Sequence, residues 1–257
     1  MDRIKTIVRS GLTKHIGLVT AALLASMYTV KNVHPDLPQV SAVDAVLARD
    51  VAASSATNNW DLPNLNNPRV DSWVKLFSTD PKVKPRFALW LDRKDKYEPM
   101  ISEKLGKRDM PQDLIYLAMI ESGFNPTAKS PAKAGGLWQF ISETGKRYGL
   151  TINHRVDERN VPAKATDAAL SYLSDLYDRF GSWYLAAAAY NTGENRVGRI
   201  MRQVTGSEKG SDADYYRISK LLPRETQDYV PMMIAAARIS KDPARYGFDS
   251  NVTSVSE

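Results

Sequence analysis

The stretch VPAKATDAALSYLSDLYDRFG, residues 161–181, decides the fold class. Pro162 offers the fixed φ that suits a first helical position, and Gly181 offers the left-handed turn that stops a helix. Between them Ala169, Tyr172, Leu173, Leu176, Tyr177 and Phe180 recur at spacings of three and four, which draws one apolar stripe on a 3.6-residue period. The same pattern extends in both directions. Phe87, Trp90, Tyr97, Ile101 and Leu105 can share a helical face, and Pro111 opens a further helix through Leu114, Ile115, Leu117, Ala118 and Ile120. Residues 183–190, 195–204 and 223–239 complete the set, while no segment alternates strictly enough for a strand. The expected fold is all-α, a compact orthogonal or irregular helical bundle without an internal repeat.

Composition narrows the chemistry. The 257 residues, 43% hydrophobic and 25% charged, suffice for a sizeable core. There is no cysteine, which excludes disulfides, thiolate metal sites and a cysteine nucleophile, and the three histidines (His15, His34, His154) are scattered. Catalysis would therefore run mainly on carboxylates, hydroxyls and amides, and neither a thiolate nor a histidine-rich metal site is expected. Half of the formal net charge of +6 lies within residues 1–30, so the remainder is too weakly basic to indicate a nucleic-acid partner.

The N-terminus reads as an address. Arg3, Lys5, Arg9 and Lys14 precede the apolar run 16–30, the order of an export signal, and that run is short of the roughly 20 residues of a membrane span. Residues 1–31 are read as a signal peptide or membrane anchor, 32–69 as a linker rich in Pro, Asn, Ala, Ser and Asp, 70–246 as the catalytic domain with its motifs within 111–240, and 247–257 as a polar tail. This predicts an exported protein of the periplasm or cell envelope, touching membrane only through its N-terminal segment.

In DLIYLAMIESGFNP, residues 113–126, Glu121 ends an almost uncharged helix. Desolvation and the negative end of the helix dipole both favour its protonated form, which is what protonating a glycosidic oxygen requires. Taken alone, a helix-ending glutamate is more often a solvated surface group. Its surroundings alter that reading. In IESGFNPTAKSPAKAGGLWQF, Ser130 follows Glu121 by nine residues and Gln139 by eighteen, with Gly135 and Gly136 allowing a sharp turn. AAAAYNTGENRV supplies Tyr190 and Asn191, and LPRETQDYVPMM supplies Tyr229.

With these four ordered motifs the chain resembles the soluble lytic transglycosylase catalytic-domain family, and within it WVKLF (73–77), DMPQDLIYLAMIESGF (109–124) and YVPMMIAAARI (229–239) look most like the membrane-bound lytic murein transglycosylase D branch. The resemblance implies a lysozyme-like helical fold and cleavage of the β-1,4 bond between N-acetylmuramic acid and N-acetylglucosamine, with formation of 1,6-anhydromuramic ends. It implies Glu121 as the single catalytic acid/base, with no cofactor or metal needed. It places Ser130 against that carboxyl or a sugar N-acetyl group, Gln139, Tyr190 and Asn191 along the substrate cleft, and Tyr229 near the reacting centre, with Trp138 as cleft floor making no specific contact. Peptidoglycan glycan strands are the expected partner, with a cell-envelope assembly partner as a further one. Tyrosines and amides suit a sugar, whose ring faces are weakly apolar and whose rim carries hydroxyls. A hydrolytic muramidase of goose-lysozyme type and a non-catalytic wall-binding protein are the alternatives. Asp157, Glu158 and Arg159 are expected to form a structural ion-pair cluster, and Glu143 to face solvent.

Overall fold

The computed structural model describes Leu62 and residues 67–248, so the leader, most of the linker and most of the polar tail lie outside the described residues. Nine α-helices form within it: α1 Pro68–Thr79, α2 Lys84–Gly106, α3 Ile115–Ser122, α4 Ser142–Arg147, α5 Pro162–Phe180, α6 Trp183–Thr192, α7 Glu194–Thr205, α8 Asp212–Ser219 and α9 Arg224–Lys241. Among the described residues the only β pairing is isolated bridges, two of them within the loop between α3 and α4. The expected all-α class holds, and α5 begins at Pro162 and ends on Gly181 at φ 70°, as its sequence requires.

Helix α3 lies within the core of the bundle. All eight of its residues are buried, Glu121 and Ser122 included, which is the behaviour of a helix apolar on every side. Helices α2 and α9 pack against it, and α9 also runs along α1 and α6. At the α1–α2 end Phe77, Phe87 and Trp90 form an aromatic cluster with ring centroids 4.8–5.8 Å apart. Ion pairs reinforce the α1–α9 contact: Arg69 meets Asp228 at 2.7 Å and Arg238 meets Asp71 at 2.9 Å.

Two proline-bearing helices need explanation. Pro231 lies inside α9, where it has no N–H for the carbonyl of Gln227 four residues earlier. The hydroxyl of the fully buried Tyr215 on α8 donates to that carbonyl and to the carbonyl of Thr226, each at 3.0 Å. A side chain from another helix thus fills the gap the proline opens, and the turn of α9 that precedes Pro231 is fixed in place. Pro99 likewise lies inside α2, which continues through it to Gly106.

Candidate active site

Glu121 occupies the last turn of α3 and is 2% exposed. The helix stops because Gly123 adopts φ 57°, its N–H donating to the Met119 carbonyl at 2.8 Å. No other residue fits there: a Cβ on Gly123 would lie 2.2 Å from the Trp90 ring. Trp90 therefore closes directly over the chain two residues beyond the carboxyl, and the neighbouring Arg93 donates to the Gly123 carbonyl at 3.4 Å.

The two carboxyl oxygens of Glu121 differ. Oε1 accepts from the Tyr229 hydroxyl at 2.6 Å, whereas Oε2 is buried without a partner. A bare carboxylate oxygen in that position would be costly, and a proton on Oε2 removes most of the cost. The carboxyl is accordingly pushed up to about 8, chiefly by burial and further by the negative charge of Glu225, with the Tyr229 hydrogen bond acting in the opposite direction. Burial as the leading cause matches the reading of residues 113–126. Glu225 was not foreseen.

Tyr229 is fully buried on α9, and its own hydroxyl is raised well above its ordinary 10.0, first by burial and then by Glu121. It can donate to Glu121 but does not ionise near neutral pH. Tyr190, partly buried on α6, donates to the Trp138 carbonyl at 2.7 Å, and its ring centroid is 5.2 Å from that of Tyr172. The charge of Glu121 contributes to raising Tyr190, after burial, which places both residues in one neighbourhood.

The remaining expected residues are oriented differently from one another. Asn191, 6% exposed, faces α9: its Oδ1 accepts from the Thr226 hydroxyl at 2.7 Å and its Nδ2 donates to Glu225 at 3.2 Å. Ser130 accepts from the Ala134 N–H at 3.0 Å and makes no hydrogen bond to Glu121, whose one bonded oxygen is held by Tyr229. Gln139 sits at φ 49°, a left-handed conformation uncommon for a residue with a Cβ. Its Nε2 donates to the carbonyls of Gly136 at 2.9 Å and Ala128 at 3.2 Å, so the side chain braces the loop that carries it.

Arg159 holds that loop from outside. It pairs with Asp157 at 2.7 Å and donates from Nη1 to the carbonyls of Lys133 at 2.7 Å and Phe140 at 2.9 Å. Gly136, at φ 80°, passes so close that a Cβ would fall 1.8 Å from the Arg159 carbonyl oxygen. Of the expected cluster, Asp157 and Arg159 pair with each other while Glu158 pairs with Lys164, and Glu143 is exposed. Trp138 corrects its expectation. It is fully buried and its indole N–H donates to the Thr166 hydroxyl at 3.0 Å, because an apolar ring carrying one donor is accommodated inside when a helix such as α5 offers the acceptor.

Among the described residues no three His, Cys, Asp or Glu side chains gather in a way that could hold a metal ion, and no helix is long and apolar enough to cross a membrane. The residue missed by sequence reading, Glu225, had one usable signal: it precedes Tyr229 by four positions and so shares its helical face.

Residues 98–212 match the transglycosylase SLT domain. The chain is 40% identical over 156 residues to membrane-bound lytic murein transglycosylase D of Escherichia coli (strain K12), covering 60% of this chain and 34% of that protein. It is 32% identical over 132 residues to membrane-bound lytic murein transglycosylase F of Pseudoalteromonas translucida (strain TAC 125), covering 50% and 27% respectively. It is 28% identical over 145 residues to soluble lytic murein transglycosylase of Escherichia coli (strain K12), covering 54% and 22%. The chain thus spans about a third or less of the length of these relatives. With its all-α bundle, and with Glu121 buried at the end of α3, the chain carries a transglycosylase SLT domain over residues 98–212.

Proposed function

We propose that this protein is a peptidoglycan lytic transglycosylase that cleaves the β-1,4 bond between N-acetylmuramic acid and N-acetylglucosamine. The observation that carries the proposal is the state of Glu121: a buried carboxyl, protonated to about pH 8, with one oxygen fixed by Tyr229 and the other free for the proton. General acid catalysis at neutral pH needs such a group.

In this reading Glu121 donates its Oε2 proton to the bridging oxygen, and the N-acetylglucosamine side leaves as an alcohol. The N-acetyl carbonyl of the muramic sugar attacks its own anomeric carbon from the opposite face, so the substrate supplies the group that a second carboxylate supplies in most glycosidases. The Glu121 carboxylate, held by the Tyr229 hydroxyl, then takes the proton of the C6 hydroxyl. That oxygen displaces the N-acetyl group to close the 1,6-anhydro ring, and Glu121 regains its proton without consuming water.

The other residues support these steps. Tyr229 and Tyr190 border the acid. Ser130 and Gln139 belong to the loop that forms the substrate wall, with Ser130 assigned to the sugar N-acetyl group, and Asn191 fixes the α6–α9 contact. The catalytic unit comprises residues 70–246, preceded by a linker over 32–69 and by a signal or anchor at 1–31. Three of the relatives' names, two membrane-bound and one soluble, are compatible with action in the cell envelope, where glycan strands and an assembly partner would be met. Mass spectrometry of the products released from purified sacculi tests the reaction. A muropeptide lighter by one water than the reducing sugar is expected, and a reducing end would assign a hydrolytic muramidase instead.

A further inference from the structure

Glu225 lies within LPRETQDYVPMM but has no role in the motif reading or in the steps above, yet its placement is specific. It lies in the first turn of α9, one helical turn before Tyr229 and on the same face, and Tyr229 touches Glu121 at 2.6 Å. Its Oε1 accepts from Asn191 Nδ2 at 3.2 Å, and the other end of that amide is fixed by the Thr226 hydroxyl at 2.7 Å. Thr226 is 1% exposed, and its carbonyl is held by Tyr215. The geometry points to Glu225 as a positioning residue for the acid: its carboxylate, aimed by Asn191, keeps the proton on Glu121 until substrate takes it. The inference rests on the reading of Glu121 as the acid.

The charges around Glu121 leave this role open to Glu225. From α9 come Tyr229 and Glu225, from α6 comes Tyr190, and from α2 comes Arg93, which reaches the Gly123 carbonyl. The two tyrosines are neutral at working pH. The Tyr229 hydrogen bond favours the ionised acid. Burial and Glu225 favour the protonated one, and of these only Glu225 has a charge that a substitution can remove without opening the core. It also acts on Tyr229, in the same sense. The arrangement turns Asn191 from a residue that reads as a sugar contact into one that orients a carboxylate.

Glu225→Gln is the discriminating variant, because the amide oxygen still accepts from Asn191 while the charge is gone. In protein labelled with carbon-13 at the glutamate side-chain carboxyls, the Glu121 resonance is assigned by its loss in Glu121→Gln and titrated in the wild type and variants. The Glu121 midpoint in Glu225→Gln is expected below the wild-type value, with the alkaline limb of kcat/KM on sacculi moving the same way by half a unit or more, about a threefold loss of rate on that limb. Glu225→Asp, which keeps the charge, restores part of the shift. Asn191→Ala moves the midpoint in the same direction as Glu225→Gln. A Glu121 midpoint that is identical in the wild type and a folded Glu225→Gln overturns the proposal, and one unaffected by Asn191→Ala removes Asn191 from it. If Glu225→Gln does not fold, Glu225→Asp and Asn191→Ala carry the same titration. Sacculi left intact by a wild type whose midpoint does respond to Glu225→Gln would refute the lytic reading and leave the coupling standing. Cleavage of sacculi with an unresponsive midpoint would do the reverse.

Discussion

Replacing Glu121 by Gln should change how stability depends on pH, independently of any assay on cell wall. The carboxyl titrates at about 8 in the folded protein against an ordinary 4.5. A group whose folded pKa is raised contributes stability that is fully present below the unfolded value and is lost as pH rises through the folded one. The wild type should therefore lose about 1.4 kcal/mol per pH unit between roughly pH 5 and pH 8 from this residue, about 3 kcal/mol by pH 7. That is a substantial part of the 5–15 kcal/mol that holds a typical domain together. Glu121→Gln removes the titration. The amide also brings two N–H donors to the place where Oε2 has no partner, a penalty that does not vary with pH. Urea unfolding of both proteins from pH 5 to pH 9 separates the two effects: the difference between variant and wild type should drift in favour of the variant by several kcal/mol, then level off above about pH 8. Titrating groups that are not coupled to Glu121 cancel in the subtraction. Parallel stability curves would mean that Glu121 ionises normally, and the acid-catalysis argument would fail with it.

Tyr229→Phe should slow cleavage about five- to a hundred-fold, the loss of one hydrogen bond worth about 1–3 kcal/mol in the transition state. Because that bond lowers the pKa of Glu121, the alkaline limb of the rate profile should move to higher pH, opposite to Glu225→Gln, and a lowered melting temperature with unaltered turnover per folded molecule would remove Tyr229 from the mechanism. Gly136→Ala should cost about 2–4 kcal/mol in chemical denaturation, since the new methyl meets the Arg159 carbonyl at φ 80° and must displace the loop bearing Ser130 and Gln139. A fragment of residues 98–212 should show no cooperative thermal transition while residues 67–248 show one, because the shorter piece lacks α1, α9 and most of α2, and with them the walls of α3; calorimetry decides.

Local physics made much of this molecule legible in its sequence. The stripe of α5, its proline start and its glycine stop are properties of neighbouring residues, and the structure follows them to within a residue. The elevated acid could also be anticipated, because eight successive residues of α3 offer no polar face on which a carboxyl could reach water. Trp138 shows where this ends. Whether an aromatic ring lies in a groove or in the core depends on what the next helix presents, and Thr166 is 28 residues away. Ser130 and Gln139 show the same limit from the other side: both carry groups that suit a sugar, and in the folded chain both also serve the backbone of their own loop.

The partners of Glu121 are the least local feature of all, and they come from a helix beyond the matched SLT segment. Tyr229 meets the acid across 108 residues of sequence, and Glu225 reaches the site one turn away on the same face of α9. Nothing near Glu121 encodes that approach. What fixes it is a set of separate contacts on α9: Arg69 of α1 on Asp228, Asn191 of α6 on Glu225 and Thr226, and Tyr215 of α8 on the carbonyl that Pro231 leaves without an N–H. Each contact lies within three residues of Tyr229 or Glu225, and each comes from a different helix. A displacement of α9 by even 1 Å would stretch the 2.6 Å bond to Glu121 beyond hydrogen-bonding length. The precision of the acid is therefore a property of the whole bundle, including α1, which supplies none of the residues around Glu121 and holds α9 through Arg69 and Asp71.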